Sequence, residues 1–144
     1  NTSDVASQQE IIQTNISDYD GDNIRGPLLL EIGKDDFPKL AVDMIYTANT
    51  LHIMTWNQCI TLFELLGENL ARDAHVFIYG PMKYSDAFTS ESNKQFDRSL
   101  KDQNSSMGIR NFDDIEYYMT NQDFSLKKDH KMPANNQLLV FQKE

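Results

Sequence analysis

Apolar positions along the chain fall into short runs and helical stripes separated by polar, turn-rich stretches. Behind Ser3, a good N-cap, Val5, Ile12 and Ile16 recur at helical spacing and predict a helix over 4–14. Asp, Asn and Gly crowd residues 18–26, a turn-rich loop. Leu28-Leu29-Leu30-Glu31-Ile32 predicts a short buried strand, broken over 33–38. Residues 41–47 predict a second strand, apolar without clean alternation, the pattern of a central parallel strand covered on both faces. Thr55 caps a helix reaching residue 69, with Ile60, Phe63, Leu66 and Leu70 on one face. Residues 74–79 predict a third strand, closed by Gly80-Pro81. A polar helix follows over 89–101, with Phe96 and Leu100 inward, and Asn111 caps another over 112–120. Strands over 124–131 and 137–141 are joined by Pro133-Ala134-Asn135-Asn136, short enough for an antiparallel hairpin.

This order predicts an α/β fold: a mostly parallel sheet with helices on both faces and a C-terminal antiparallel hairpin. The 144 residues fit a single domain able to bury a core.

A net charge of −9 argues against a partner that is itself a polyanion, so neither nucleic acid nor an anionic membrane is expected. No apolar run is long enough to span a bilayer. Cys59 is the one cysteine, so an intramolecular disulfide is impossible and a reducing, cytoplasmic compartment is expected. It lies in an apolar helical stretch with nothing basic nearby in sequence, and reads as a buried structural thiol. The Asn-x-Ser/Thr sequons at Asn1, Asn15 and Asn104 match the frequency of Asn and Ser. The chain opens in mid-pattern at Asn1, as a processed or truncated chain would.

In open α/β sheets, ligands bind beyond the carboxyl ends of the parallel strands. Three loops therefore matter: Ala48 to His52 with Trp56, Gly80 to Tyr84, and Met132 to Asn136. They carry amides, an imidazole, aromatics and a methionine, which suits a pocket for a small organic ligand. His52 is the candidate base or orienting group, or else a structural histidine bonded to backbone. Asn49 is a pocket amide or a turn residue; Tyr79 and Tyr84 serve chemistry or packing. Asp18, Asp20 and Asp22 lack the closing glutamate of a calcium loop and read as solvated. His52, His75 and His130 have no metal-ligand spacing, so no metal is expected. There is no nucleophile elbow, P-loop or dinucleotide fingerprint. Asp113, Asp114 and Glu116 read as a solvated face complementing a helix dipole.

Five stretches then carry a resemblance: Asn49-Thr50-Leu51-His52-Ile53, Tyr79-Gly80-Pro81, Ser92-Asn93 with Phe96-Asp97, Gly108-Ile109-Arg110, and Met132-Pro133-Ala134-Asn135-Asn136. In order and spacing the chain resembles the class I S-adenosylmethionine-dependent methyltransferases of the methyltransferase-like protein 26 type, over essentially its whole length. The resemblance implies S-adenosylmethionine as cofactor and a methyl acceptor that is a small or peripheral molecule. It implies that Asp4 receives the adenosine ribose, and that Glu31 stands where the family tends to have an aspartate near adenine. Asn49 and His52 would line the cofactor's methionine end or the acceptor, with Tyr79, Tyr84, Asn135 and Asn136 on the substrate side. Met107 stands where the family often has tryptophan.

The family's first strand and glycine-rich loop precede the position matching Asn1, so the chain is expected to be the C-terminal part of such a domain and to bind cofactor weakly alone. The other class of function left open is a non-catalytic interaction module with the same fold. Without the family's first strand, the strand at 41–47 becomes an apolar edge; either the strand at 28–32 shifts to cover it or two copies pair there, and of the two a homodimer through that edge is expected.

Overall fold

The structure is a computed structural model describing residues 2–39 and 41–144; the Asn1 sequon lies outside the described residues. The chain divides into two compact units, the first ending at Pro38 and the second running Lys39–Glu144.

In the first unit, strand β1 (Ser3–Asp4) pairs in parallel with β2 (Leu28–Leu29), and helix α1 (Gln9–Ser17) follows a single 3-10 turn at Ala6–Gln8. The predicted helix over 4–14 therefore begins later, and Ser3 is a strand residue rather than a cap. The local cause is side-chain competition: Asp4 Oδ1 accepts from the Val5 N–H at 2.7 Å, and Gln9 Nε2 donates to the Asp4 and Leu28 carbonyls at 2.7 and 3.1 Å. The predicted strand over 28–32 shrinks to two residues, because only Ser3 and Asp4 oppose it. Gly26 has φ +119°, and a Cβ there would lie 2.7 Å from the Thr2 carbonyl oxygen, so the return loop needs glycine.

The second unit is built on a four-stranded sheet of β3 (Met44–Ala48), β4 (His75–Gly80), β8 (Phe124–Met132) and β9 (Asn136–Lys143), in the order β3-β4-β9-β8. β3 and β4 are parallel, and β9 runs antiparallel to both β4 and β8. Three strands therefore share one direction, with the last strand of the hairpin inserted between two of them. Helix α2 (Trp56–Asn69) starts at a capping box in which Thr55 and Gln58 bond each other's backbone N–H groups, worth about 1 kcal/mol. It buries Cys59, Phe63 and Leu66 and packs against α4 (Phe112–Thr120), which buries Ile115 and Met119; Val76, Ile78, Leu139 and Phe141 are buried residues of β4 and β9.

Two differences from the sequence reading have clear causes. β3 pairs only with β4 among the described residues, and it alternates: Met44 and Tyr46 are each 59% exposed. The second is a small sheet, β5 (Met82–Tyr84), β6 (Ala87–Phe88) and β7 (Arg110–Asn111), which was not predicted. Its hairpin turn puts Ser85 and Asp86 at φ +47° and +62° without a glycine to signal it. Instead the turn is held from a distance, by Ser85 N–H to Asp113 Oδ2 at 2.8 Å and Asp86 N–H to Asn111 Oδ1 at 3.4 Å. Asn111 thus holds a turn and makes no side-chain cap, and Asp113 is a structural acceptor rather than merely solvated.

Candidate functional site

The parallel direction of β3, β4 and β8 brings their carboxyl ends to one edge of the sheet. Asn49 follows β3 in left-handed backbone (φ +56°), and its N–H donates to the Tyr79 carbonyl at 2.9 Å. At Gly80, which ends β4, an added Cβ would rest 3.6 Å from Asn49 Oδ1, so backbone and amide are close neighbours. Asn136, at the start of β9, donates through Nδ2 to Tyr79 Oη at 3.1 Å. Asn49, Tyr79 and Asn136 therefore form a connected row along the edge.

Helix α3 (Glu91–Gln103), capped by the Ser90 side chain on the Asn93 N–H, ties this row to the hairpin loop. Buried Asn93 donates through Nδ2 to Thr89 Oγ1 and to the Asn135 carbonyl, both at 2.9 Å. Asn135 Nδ2 in turn donates to Ser92 Oγ at 3.2 Å. Ala134 and Asn135 both have positive φ, +57° and +58°, so the loop is a constrained turn. Tyr84, Asn135 and Asn136 line one cleft of about 550 Å³ together with Thr89, Asp129, Lys131, Met132 and Gln137.

His52 meets α3 about one turn on from Asn93. Its ring meets Phe96 edge-on at 5.2 Å, and its carbonyl accepts from the Gly108 N–H at 2.9 Å. The residue is only 7% exposed, and among the described residues neither ring nitrogen has a hydrogen-bond partner. Burial, aided by the Arg110 charge, lowers the imidazole pKa below its ordinary value. A neutral ring with an unengaged nitrogen has the protonation state a base requires.

Arg110 is the residue that sequence reasoning left without a role. Its guanidinium donates to the Leu51 carbonyl at 3.0 Å, to the Ser106 carbonyl at 2.9 Å and to the Met54 carbonyl, and it lies over the Trp56 ring at 5.8 Å. It fastens the loop carrying His52 to the segment before β7. Nothing in sequence spacing links Arg110 to Leu51; only the stretch Gly108-Ile109-Arg110 had drawn notice. Asp97, 3% exposed, completes the framework by accepting from the Ile109 N–H at 2.8 Å and pairing with Lys101 at 2.7 Å. Cys59 is buried as expected, with its Sγ 3.4 Å from the Leu51 carbonyl. Burial raises its pKa to about 11, against a lowering by nearby Arg110, the basic neighbour the sequence had not revealed.

Asp4 and Glu31 belong to the first unit. Asp4 is exposed at the end of β1, with Oδ1 on the Val5 N–H. Glu31 pairs with Lys34 at 2.6 Å, and its N–H donates to Asp35 Oδ2 at 2.7 Å. Among the described residues no helix is long and apolar enough to cross a membrane.

Solved structures share this fold. A proposed O-methyltransferase from Nostoc punctiforme superimposes with a TM-score of 0.83 at 20% identity, over 98% of this chain and 43% of that one. Human N-acetylserotonin methyltransferase in complex with S-adenosylmethionine gives 0.74 at 15% identity, over 98% of this chain and 39% of that one. A pericyclic reaction enzyme gives 0.76 at 10% identity, over 99% and 35%. At such identities the likeness establishes the fold, which is that of the methyltransferases, and the chain spans about two fifths of those proteins' length. Residues 1–143 match the family described as protein of unknown function (DUF938), and the chain belongs to it.

Proposed function

We propose that this chain forms part of an S-adenosylmethionine-dependent methyltransferase of the methyltransferase-like protein 26 type, acting on a small or peripheral acceptor in a reducing, cytoplasmic compartment. The observation that carries the reading is the row Asn49, Tyr79 and Asn136 along the carboxyl edge of a sheet with methyltransferase topology.

The donor set suits the cofactor in part. Asp4 ends a parallel strand with an exposed carboxylate, and its Oδ2 has no partner among the described residues, as a ribose-binding acid requires. Glu31, held by Lys34, suits an adenine contact less well. Asn49 offers an amide at the end of β3 toward the methionine half. S-adenosylmethionine would supply a methyl group already activated on sulfonium, so the protein's task is alignment and exclusion of water. His52, neutral and unengaged, would orient the acceptor or take its proton. Tyr79, Tyr84, Asn135 and Asn136 would bound the acceptor.

Calorimetric titration of the protein with S-adenosylmethionine tests the reading, with Asp4→Ala and Asn49→Ala expected to weaken binding about tenfold, as loss of a good hydrogen bond does. No binding, even by a longer form of the protein, would favour the non-catalytic module instead. Pairing of two copies along β3 is part of the same proposal, supported by the exposed Met44 and Tyr46 on an edge strand.

A further inference from the structure

We infer that the cleft beside Tyr84 receives the protonated amine of a small-molecule acceptor, with Asp129 as its counter-charge. This deepens the methyltransferase reading, on which the word acceptor rests; the amine binding itself does not depend on it.

The argument starts from how Asp129 is held. Tyr84 Oη donates to Asp129 Oδ2 at 2.6 Å, a length typical of a hydroxyl on a carboxylate. The Gln137 amide, oriented with its nitrogen toward the acceptors, donates to Asp129 Oδ1 and to the His130 carbonyl, both at 3.1 Å. Both partners of the carboxylate are therefore neutral donors. They satisfy its hydrogen bonding and fix its position, but they do not cancel its charge. The proton stays on the phenol, because burial and the facing carboxylate raise the Tyr84 pKa far above its ordinary value.

The remaining lining sharpens the chemistry. Lys131 is the other charged residue of the cleft; it is exposed, and among the described residues the partners of Asp129 are Tyr84 and Gln137. Lys131 lines the same face of β8 two residues on, so the local charge is met by solvent and an exposed ammonium that does not pair with it. A carboxylate has about four acceptor positions, of which two are taken here, so a ligand ammonium has a place to bond. Thr89, Asn135 and Asn136 supply neutral donors and acceptors for the rest of the molecule, and about 550 Å³ suits a small ligand. Asn136 also bonds Tyr79, so the cleft joins the row at the sheet edge.

An amine protonated against a carboxylate has no free lone pair. The amine is then the handle that orients the acceptor, and the methylated atom lies elsewhere on it.

The test uses the 144-residue chain labelled with nitrogen-15 and two probes of one skeleton, tyramine and its neutral N-acetyl derivative. Tyramine is expected to bind at least about tenfold more tightly, moving backbone signals around Tyr84, Asp129, Asn135 and Asn136. Asp129→Asn keeps the shape and removes the charge, and should abolish the preference; Tyr84→Phe keeps the charge and should retain it. Equal affinities, shifts outside the cleft, no binding at millimolar concentrations, or a preference surviving in Asp129→Asn would overturn the inference. If Asp129→Asn does not fold, the comparison of the two probes on the native chain decides. S-adenosylmethionine is titrated into the same samples. Cofactor binding without tyramine binding overturns this inference alone, and tyramine binding by a longer form of the protein that binds no cofactor overturns the methyltransferase reading alone.

Discussion

Arg110 Nε donates to the Leu51 carbonyl, 3.0 Å away and 59 residues back in sequence, immediately before His52. One side chain thereby fixes the loop that carries the candidate base, from an element formed half a unit later. Replacing Arg110 by alanine takes the guanidinium from the carbonyls of Leu51, Met54 and Ser106, leaving Leu51 only the weak Cys59 thiol donor. The expected loss is about 2–4 kcal/mol, read from urea denaturation, since these part-buried carbonyls recover some hydration. A loss below about 0.5 kcal/mol would show that the clamp is ornamental.

The same arginine sets the direction of a titration. Burial and the Arg110 charge both lower the His52 pKa. Arg110→Gln should therefore raise it, and the His52 imidazole carbon-bound proton followed by NMR across pH would report the change. A value unmoved or lower in the variant would contradict the assigned charge effect.

Linkage follows from the same shift. The folded state holds His52 below its unfolded pKa, so between the two values the unfolded chain binds more protons. Stability attributable to His52 is present above the ordinary histidine pKa of about 6.5 and is lost as pH falls through the lower folded value. Denaturation at pH 7 and pH 5 should show a smaller difference in His52→Asn than in the wild type. In a catalytically complete protein, His52→Ala should slow transfer about a hundredfold or more while cofactor affinity changes little. Unchanged turnover would return His52 to a structural role.

Gly108 is predicted to tolerate no side chain. Its φ is +152°, and an added Cβ would lie 2.9 Å from Asp97 Oδ1 and 3.1 Å from Lys101 Cε. Gly108→Ala should destabilise by about 1–3 kcal/mol, measured by thermal or chemical unfolding, because Asp97 is buried and held on Ile109.

The exposed edge of β3 predicts self-association. Sedimentation at tens of micromolar should show a dimer, and Tyr46→Lys should restore a monomer. A monomeric wild type would overturn it.

The sequence by itself determined the strands of the four-stranded sheet, the helices α2, α3 and α4, and part of the buried core, though Phe96, expected inward, is 41% exposed. Those features are local: Thr55 and Gln58 write the start of α2, the period of Phe63 and Leu66 writes its buried face, and four residues write the hairpin between β8 and β9. Because loops at strand ends follow from strand direction, the convergence of the loops after β3, β4 and β8 on one edge was also legible in the sequence. Tertiary structure decided what depends on pairs far apart in the chain. The turn at Ser85 and Asp86 exists because Asp113 and Asn111 reach it, not because its own residues favour positive φ. Arg110 acquired its role from three carbonyls in two other loops, and Asp129 became part of a cleft only when Tyr84 and Gln137 closed on it. A hydrogen bond spanning 45 or 59 residues leaves no period in the sequence, since loop closure and strand insertion, rather than local propensity, bring its two ends together.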